Sequence, residues 1–169
     1  QTADIDLSGE NWKPIGKYVS SSSPNDVRNR EFSGIYDGKG FIISGLTIDQ
    51  NLVGSSIINK GYGLFGYLTG TVRNLGMTNL NIDAEISGDY NMYAGGIAGY
   101  VGYYDTEAGF IKNCYVGGTI QAAARLRSCA GGLAGYLRRG EILNSYSSVS
   151  ANHVPGIDYS GAGGLIGYR

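Results

Sequence analysis

The string G-L-F-G-Y at residues 63–67 returns as G-I-A-G-Y at 96–100, G-L-A-G-Y at 132–136 and G-L-I-G-Y at 164–168, at spacings of 33, 36 and 32 residues. Such regularity makes the chain a repeat protein. Each unit is too small to bury an apolar face alone and gains a core only by stacking on the next. The units contain short alternating segments and glycine turns, with no sustained 3.6-residue apolar period, so the stacked elements are strands. The expectation is an all-β chain: a right-handed parallel β-helix, or β-solenoid, of about four to five coils with 32–36-residue repeats.

Stacking in parallel register turns equivalent residues into ladders. Leu64, Ile97, Leu133 and Leu165 form an inward row, continued by Leu68, Val101 and Leu137. Gly66, Gly99, Gly135 and Gly167 share their parity, which calls for either a narrow core or a bulky group opposite. Asn74, Asn113 and Asn144, each closing an I-x-N-type strand, predict an asparagine ladder at a corner, where Asn tolerates turn backbone and its amide bonds along the stack. The opposite parity gives Tyr67, Tyr100, Tyr136 and Tyr168. These are expected to face outward as an aromatic stripe that either packs on a neighbouring segment or receives a sugar or protein.

A minimal three-sided coil needs roughly 20-odd residues, so a longer period predicts extra loop. The surplus falls before each glycine-rich strand, at residues 50–61, 86–94, 122–130 and 152–162, which marks one side as a binding face. A separate insertion at 102–109 (G-Y-Y-D-T-E-A-G) offers Tyr103, Tyr104, Asp105 and Glu107 as a recognition loop.

At the N-terminus, A-D-I-D-L alternates as a half-buried strand, and Trp12 beside Pro14 is expected to cap the apolar end of the stack. Residues 1–31 therefore read as a strand and capping region and 32–169 as repeats, together one domain. Neither end resembles a natural terminus, so the segment is expected to come from a longer protein, with neighbouring domains of the same chain as its partners.

A net charge of −1 argues against a general nucleic-acid binder, and no apolar run reaches the roughly 20 residues of a membrane span. Arg125, Arg127, Arg138 and Arg139 form a basic run that reads as solvated surface or as an anion site. Cys114 and Cys129 fit no metal spacing and leave two readings, a buried reduced pair or a disulfide. His153 reads as a loop residue. No metal or cofactor is expected. Paired carboxylates for glycoside chemistry could come only from Asp83, Glu85 and Asp89 or from Asp105 and Glu107, and neither set recurs between repeats.

The four G-x-x-G-Y strings with their I-x-N strands, preceded by A-D-I-D-L-S-G, W-K-P-I-G and F-S-G-I-Y-D-G-K-G-F-I-I-S-G-L-T-I, resemble the GLUG repeats of bacterial surface proteins over residues 3–168. The resemblance implies an extracellular or cell-surface location and an adhesin-like role. Similar repeats also accompany immunoglobulin-A-cleaving metallopeptidases, but the H-E-x-x-H zinc motif is absent here and there are no catalytic residues to carry over. Three functions follow as expectations. The first is a non-enzymatic surface module or stalk that meets a host glycan or surface protein, with Tyr103, Tyr104, Asp105, Tyr67, Tyr100 and Tyr136 as candidate contacts. The others are a carbohydrate-active β-helix and an accessory domain of a surface peptidase.

Overall fold

Equivalent segments of successive repeats lie side by side in parallel register, and this determines the architecture. The structure is a computed structural model that describes residues 1–16, 31–53, 59–103 and 107–169. Among these residues every regular element is a strand, and the strands form four parallel sheets of a β-solenoid. The glycine-rich sheet stacks Phe65–Leu68, Ala98–Val101, Ala134–Leu137 and Ile166–Tyr168. A flank sheet stacks Ile35–Asp37, Thr71–Arg73, Gly109–Lys112 and Gly140–Leu143. The long sheet contains Ile5–Asp6, Ile42–Ser44, Thr47–Val53, Gly76–Ser87, Tyr115–Ala124 and Tyr146–Val154. A cover sheet stacks Asn59–Tyr62, Asn91–Gly95, Arg127–Gly131 and Gly161–Gly163.

Each coil therefore has four strands rather than three strands and a loop. The residues expected to project as surplus loop are mainly the end of the long strand and the whole of the cover strand. The connections that remain between those two strands are short, at residues 88–90, 125–126 and 155–160. The expected loop at 50–61 falls partly outside the described residues. The long period is thus met by pairing more backbone, which satisfies its polar groups within the stack.

The core runs along the solenoid axis as ladders. Ile48, Ile82 and Ile120 are fully buried and in register, and Val72 lies beside Ile111. Burying one such side chain contributes about 1.5–3 kcal/mol, and each coil supplies several. In Gly76–Ser87, Leu80, Ile82, Ala84 and Ile86 are buried while Asn81, Asp83 and Glu85 are exposed, the alternation of a strand with one wet face. The predicted Leu64, Ile97 and Leu133 row is buried, as are Leu68, Val101 and Leu137; on the last coil Leu165 is 42% exposed. At the other end Trp12 packs on the core and donates its indole N–H to the Leu64 carbonyl at 3.2 Å.

The glycine row of the second strand has a direct cause. A Cβ on Gly99 would lie 2.3 Å from the Tyr62 nitrogen, and one on Gly135 would lie 2.5 Å from the Ala94 nitrogen. The cover sheet and the glycine-rich sheet thus meet backbone to backbone. The core is narrow at these rows, and no bulky side chain fills the space.

Candidate functional site

The expected outward tyrosine stripe is instead a second apolar cluster, separate from the axial core. Tyr67 and Tyr100 are 4% and 8% exposed, and their rings stack with centroids 5.0 Å apart. Tyr136 follows Tyr100 at 4.8 Å, and Tyr168 follows Tyr136 at 5.7 Å. The stripe is covered because the fourth strands of the two middle coils bring Tyr93 and Cys129 onto it. Tyr93 meets Tyr100 edge-on at 5.2 Å and stacks on Tyr136 at 5.3 Å. Tyr159, just before the last cover strand, stacks on Tyr168 at 4.2 Å. Cys129, in register with Tyr93, is buried in the same cluster. Tyr67 and Tyr100 therefore have no ring face to offer a ligand, and Tyr136 is half-buried.

The rim of this cluster is basic. The Arg127 guanidinium lies 4.0 Å from the Tyr159 ring centroid and bonds the Asp158 carboxylate through Nε at 2.7 Å. It also bonds Tyr93, whose phenol is pushed up chiefly by burial and then by Tyr159. Tyr100 is likewise raised by burial, partly offset by its bond to Arg138. On the next corner Arg125 pairs with Asp89. Three members of the arginine run are thus engaged with tyrosines or carboxylates. Chemically, the rim fastens residues 155–160 to the coil beneath, helped by the bonds from Ile157 N–H to the Arg125 carbonyl at 2.8 Å and from Asp158 N–H to the Leu126 carbonyl at 2.9 Å.

The insertion at 102–109 starts and ends as a small hairpin. Tyr103 N–H donates to the Glu107 carbonyl at 2.8 Å, and Glu107 N–H returns to the Tyr103 carbonyl at 3.2 Å. Gly102, at φ 78°, has no room for a Cβ, which would sit 2.2 Å from the Arg139 carbonyl oxygen, so the hairpin springs from a fixed base. Tyr103 is half-buried there and Glu107 exposed, while Tyr104 and Asp105 lie outside the described residues.

The asparagine corner forms as the sequence indicates. Asn74, Asn113 and Asn144 all have φ near +50°, and Asn113 Nδ2 donates to Asn74 Oδ1 at 3.1 Å. Asn74 Nδ2 passes the ladder on to Asp37 Oδ1 at 3.1 Å, and Arg73 Nε holds the other Asp37 oxygen at 3.0 Å. Those contacts, with the Lys39 N–H, hold the Asp37 carboxyl below its ordinary range; the Asn74 amide is the largest cause.

The two cysteines are free and buried in different clusters, Cys114 in the axial core and Cys129 among the tyrosines. Burial pushes the Cys129 thiol up to about 11. His153 is not on a loop. It stands in Tyr146–Val154, in register with the buried Ala122 of the coil below. Asp83 and Glu85 lie on the exposed face of the long sheet, aligned with Gln121 and Ala123, so the next coil does not repeat the acid pair. Among the described residues no three His, Cys, Asp or Glu side chains converge.

The sequence offers Arg127 and Arg138 only as part of a basic run, and gives no signal for Tyr93, Tyr159 or Asp37. Position 93 is occupied by Gly61, Cys129 and Gly161 in the other coils, so no repeated letter flags it.

Fold and site together define a parallel β-solenoid of glycine-rich coils, locked by an asparagine ladder and a tyrosine cluster. Residues 90–121 match the family model described as the GLUG motif, a segment that starts at the cover strand and ends within the long strand. Among solved structures the chain is similar to the crystal structure of a "putative immunoglobulin A1 protease" from Bacteroides ovatus. The TM-score is 0.61 and the identity 23%, covering 99% of this chain and 53% of that one. At that identity the likeness is one of fold, and this chain spans about half the length of the Bacteroides ovatus chain. No curated protein matches it.

Proposed function

We propose that this chain is a non-enzymatic module of an extracellular or cell-surface protein, a stalk that presents recognition elements at fixed spacing in the manner of an adhesin. One observation carries this reading: the side chains that recur from coil to coil are engaged in joining coil to coil. Asn113 bonds Asn74 along the stack, the tyrosines stack on one another, and the glycines admit a neighbouring backbone. What differs between coils, and so what can carry specificity, is the hairpin at 102–109 and the corners at 88–90, 125–126 and 155–160. The GLUG motif supports the surface setting. A second reading, an accessory module beside a peptidase domain, is favoured by the likeness to the Bacteroides ovatus protein, whose chain is nearly twice as long.

A glycan array probed with the chain and with a Tyr103→Ala, Tyr104→Ala variant tests the recognition role. Binding by the parent that the variant loses, with unchanged circular dichroism, is the expected outcome and places contact on the hairpin. Silence from both proteins would remove sugars as the ligand and leave the stalk role alone.

A further inference from the structure

The long sheet turns one face to solvent, and that face has the same character from coil to coil. In its two middle strands, Gly76–Ser87 and Tyr115–Ala124, the side chains of Asn81, Asp83, Thr119 and Gln121 are exposed, although both strands are paired on either edge. They meet water because of the side of the solenoid on which they stand. The parallel register gathers such residues into rows that cross the strands. Thr47, Asn81, Thr119 and Ser150 make one row, and Asp49, Asp83, Gln121 and Asn152 make the next. Neighbours within a row are about 4.8 Å apart, the spacing of hydrogen-bonded strands.

The composition of this face differs from that of an ordinary solvated surface. The chain has 13 Lys and Arg residues, and none lies in any strand of the long sheet. The flank sheet, by contrast, carries Arg73, Lys112 and Glu141 at its outward positions. Short hydroxyl and amide side chains lose little rotamer freedom when they make a contact, whereas Lys and Arg lose the most. Part of the array is already fixed: Thr119 Oγ1 donates to Asn81 Oδ1 at 2.8 Å and pins that amide. A β-bulge beside it, where the step from Met77 to Leu80 holds one residue more than the step from Val116 to Gly118, adds the exposed Asn79 at φ 55°.

We infer that this face binds a neutral polysaccharide, laid across the strands along the solenoid axis. Three features select that occupant. The rows repeat hydroxyl, amide and carboxylate groups at an interval comparable to one extended sugar residue, and each of these groups bonds a sugar hydroxyl, the carboxylates as acceptors. Asp49, Asp83 and Glu85 repel uronates, sulfated glycans and nucleic acid, and the strands carry no cation to offset them. A protein partner would draw its affinity from buried Trp, Tyr or Arg anchors, and the two rows hold none. The surface is separate from the hairpin at 102–109, which joins the glycine-rich and flank strands, so this inference and the hairpin's recognition role can fail independently.

Affinity electrophoresis of the chain tests this, in native gels containing dextran, mannan, xylan or a soluble β-glucan, beside gels containing polygalacturonate or heparin. The expected result is retardation by at least one neutral polymer and by neither anionic one. Short oligosaccharides compete far less well than the polymer, because they span fewer rows. Asn81→Ala combined with Gln121→Ala weakens binding by about tenfold or more, as the loss of two hydrogen bonds requires. Thr119→Lys stands a long ammonium chain in the row and abolishes binding. Circular dichroism and melting of both variants match the parent, since all three positions are exposed. The Tyr103→Ala, Tyr104→Ala variant binds these polymers as the parent does. Free migration in every neutral gel overturns the inference, as does retardation that both sheet variants retain or a preference for the anionic polymers. Loss of binding in the hairpin variant alone also overturns it, and leaves the hairpin as the sugar site.

Discussion

At the scale of single residues, the corner between the flank and long sheets shows how one side chain can do two jobs. Asn74, Asn113 and Asn144 sit at positive φ, a region that costs most residues roughly 1–2 kcal/mol and that Asn tolerates. The amides of Asn113 and Asn74 then bond along the stack, and Asp37 ends the row as an acceptor without a proton. Since the folded Asp37 carboxyl is held below the ordinary value of 3.8, its contribution to stability is fully present above that value. It is lost as pH falls through the depressed folded value. Asp158, held down by its bond to Arg127, and Asp6, held down by Ser8, act in the same direction. Melting temperature is therefore expected to drop as pH falls from 5 toward 2. Asp37→Asn keeps an acceptor for Asn74 but removes the titration, so its acid limb should be shallower than the parent's. Identical slopes in thermal melts of the two proteins would mean that the ladder does not need the carboxylate.

At the scale of elements, the strand recurring as G-x-x-G-Y is defined by what it excludes. Its second glycine lies against the cover sheet so closely that a methyl group has no place to go, because the nearest atoms are backbone. Gly99→Ala is expected to force the two sheets apart and cost about 1–3 kcal/mol, the usual range for overpacking, read as a lower urea midpoint with an unchanged slope. A variant as stable as the parent would show that the close approach is not required. The same element separates what could be read in the sequence from what could not. Leu64, Ile97 and Leu133 recur with the motif, so the inward ladder and the parallel stacking follow from the letters alone, as does the asparagine corner. The cover strand does not recur in its letters: Asn59–Tyr62, Asn91–Gly95 and Arg127–Gly131 share little beyond small residues. A strand buried on both sides needs only to be narrow, so its sequence carries no alternation and reads as loop. The same silence leaves the two readings of the tyrosine stripe open in the sequence; in the structure the stripe packs on a neighbouring segment, the cover strand, which turns an outward row into an interior. His153 reads as a loop residue for a related reason: on the last coil the inward row is half-exposed and tolerates a polar residue where Ala84 and Ala122 stand below it.

At the scale of the whole molecule, the solenoid has two apolar bodies rather than one. The axial core runs through every coil. The tyrosine cluster draws its side chains from the glycine-rich and cover strands and depends on the last coil, because Tyr159 and Tyr168 close it. In a stack where each coil touches only its neighbours, stability is nearly a sum of local terms, so the two bodies can be loosened separately. The free cysteines report on them one each. At pH 8 a thiol raised to about 11 has a thiolate fraction roughly a hundredfold below that of an ordinary cysteine, and Cys129 is also fully buried. Cys114, pushed up by burial as well, has its sulfur within 3.2 Å of the Lys112 carbonyl oxygen. Neither should react with a disulfide reagent in the folded chain. Tyr159→Ala removes the ring that Arg127 and Tyr168 hold over the cluster, and should raise Cys129 labelling by roughly tenfold or more as burial is relieved. Cys114 should stay as slow as before, since nothing in the axial core has changed. Mass spectrometry of the labelled peptides distinguishes the two thiols. If both became reactive together in the variant, the tyrosine cluster and the axial core would be one cooperative unit, and the last coil would be as firmly held as the coils beneath it.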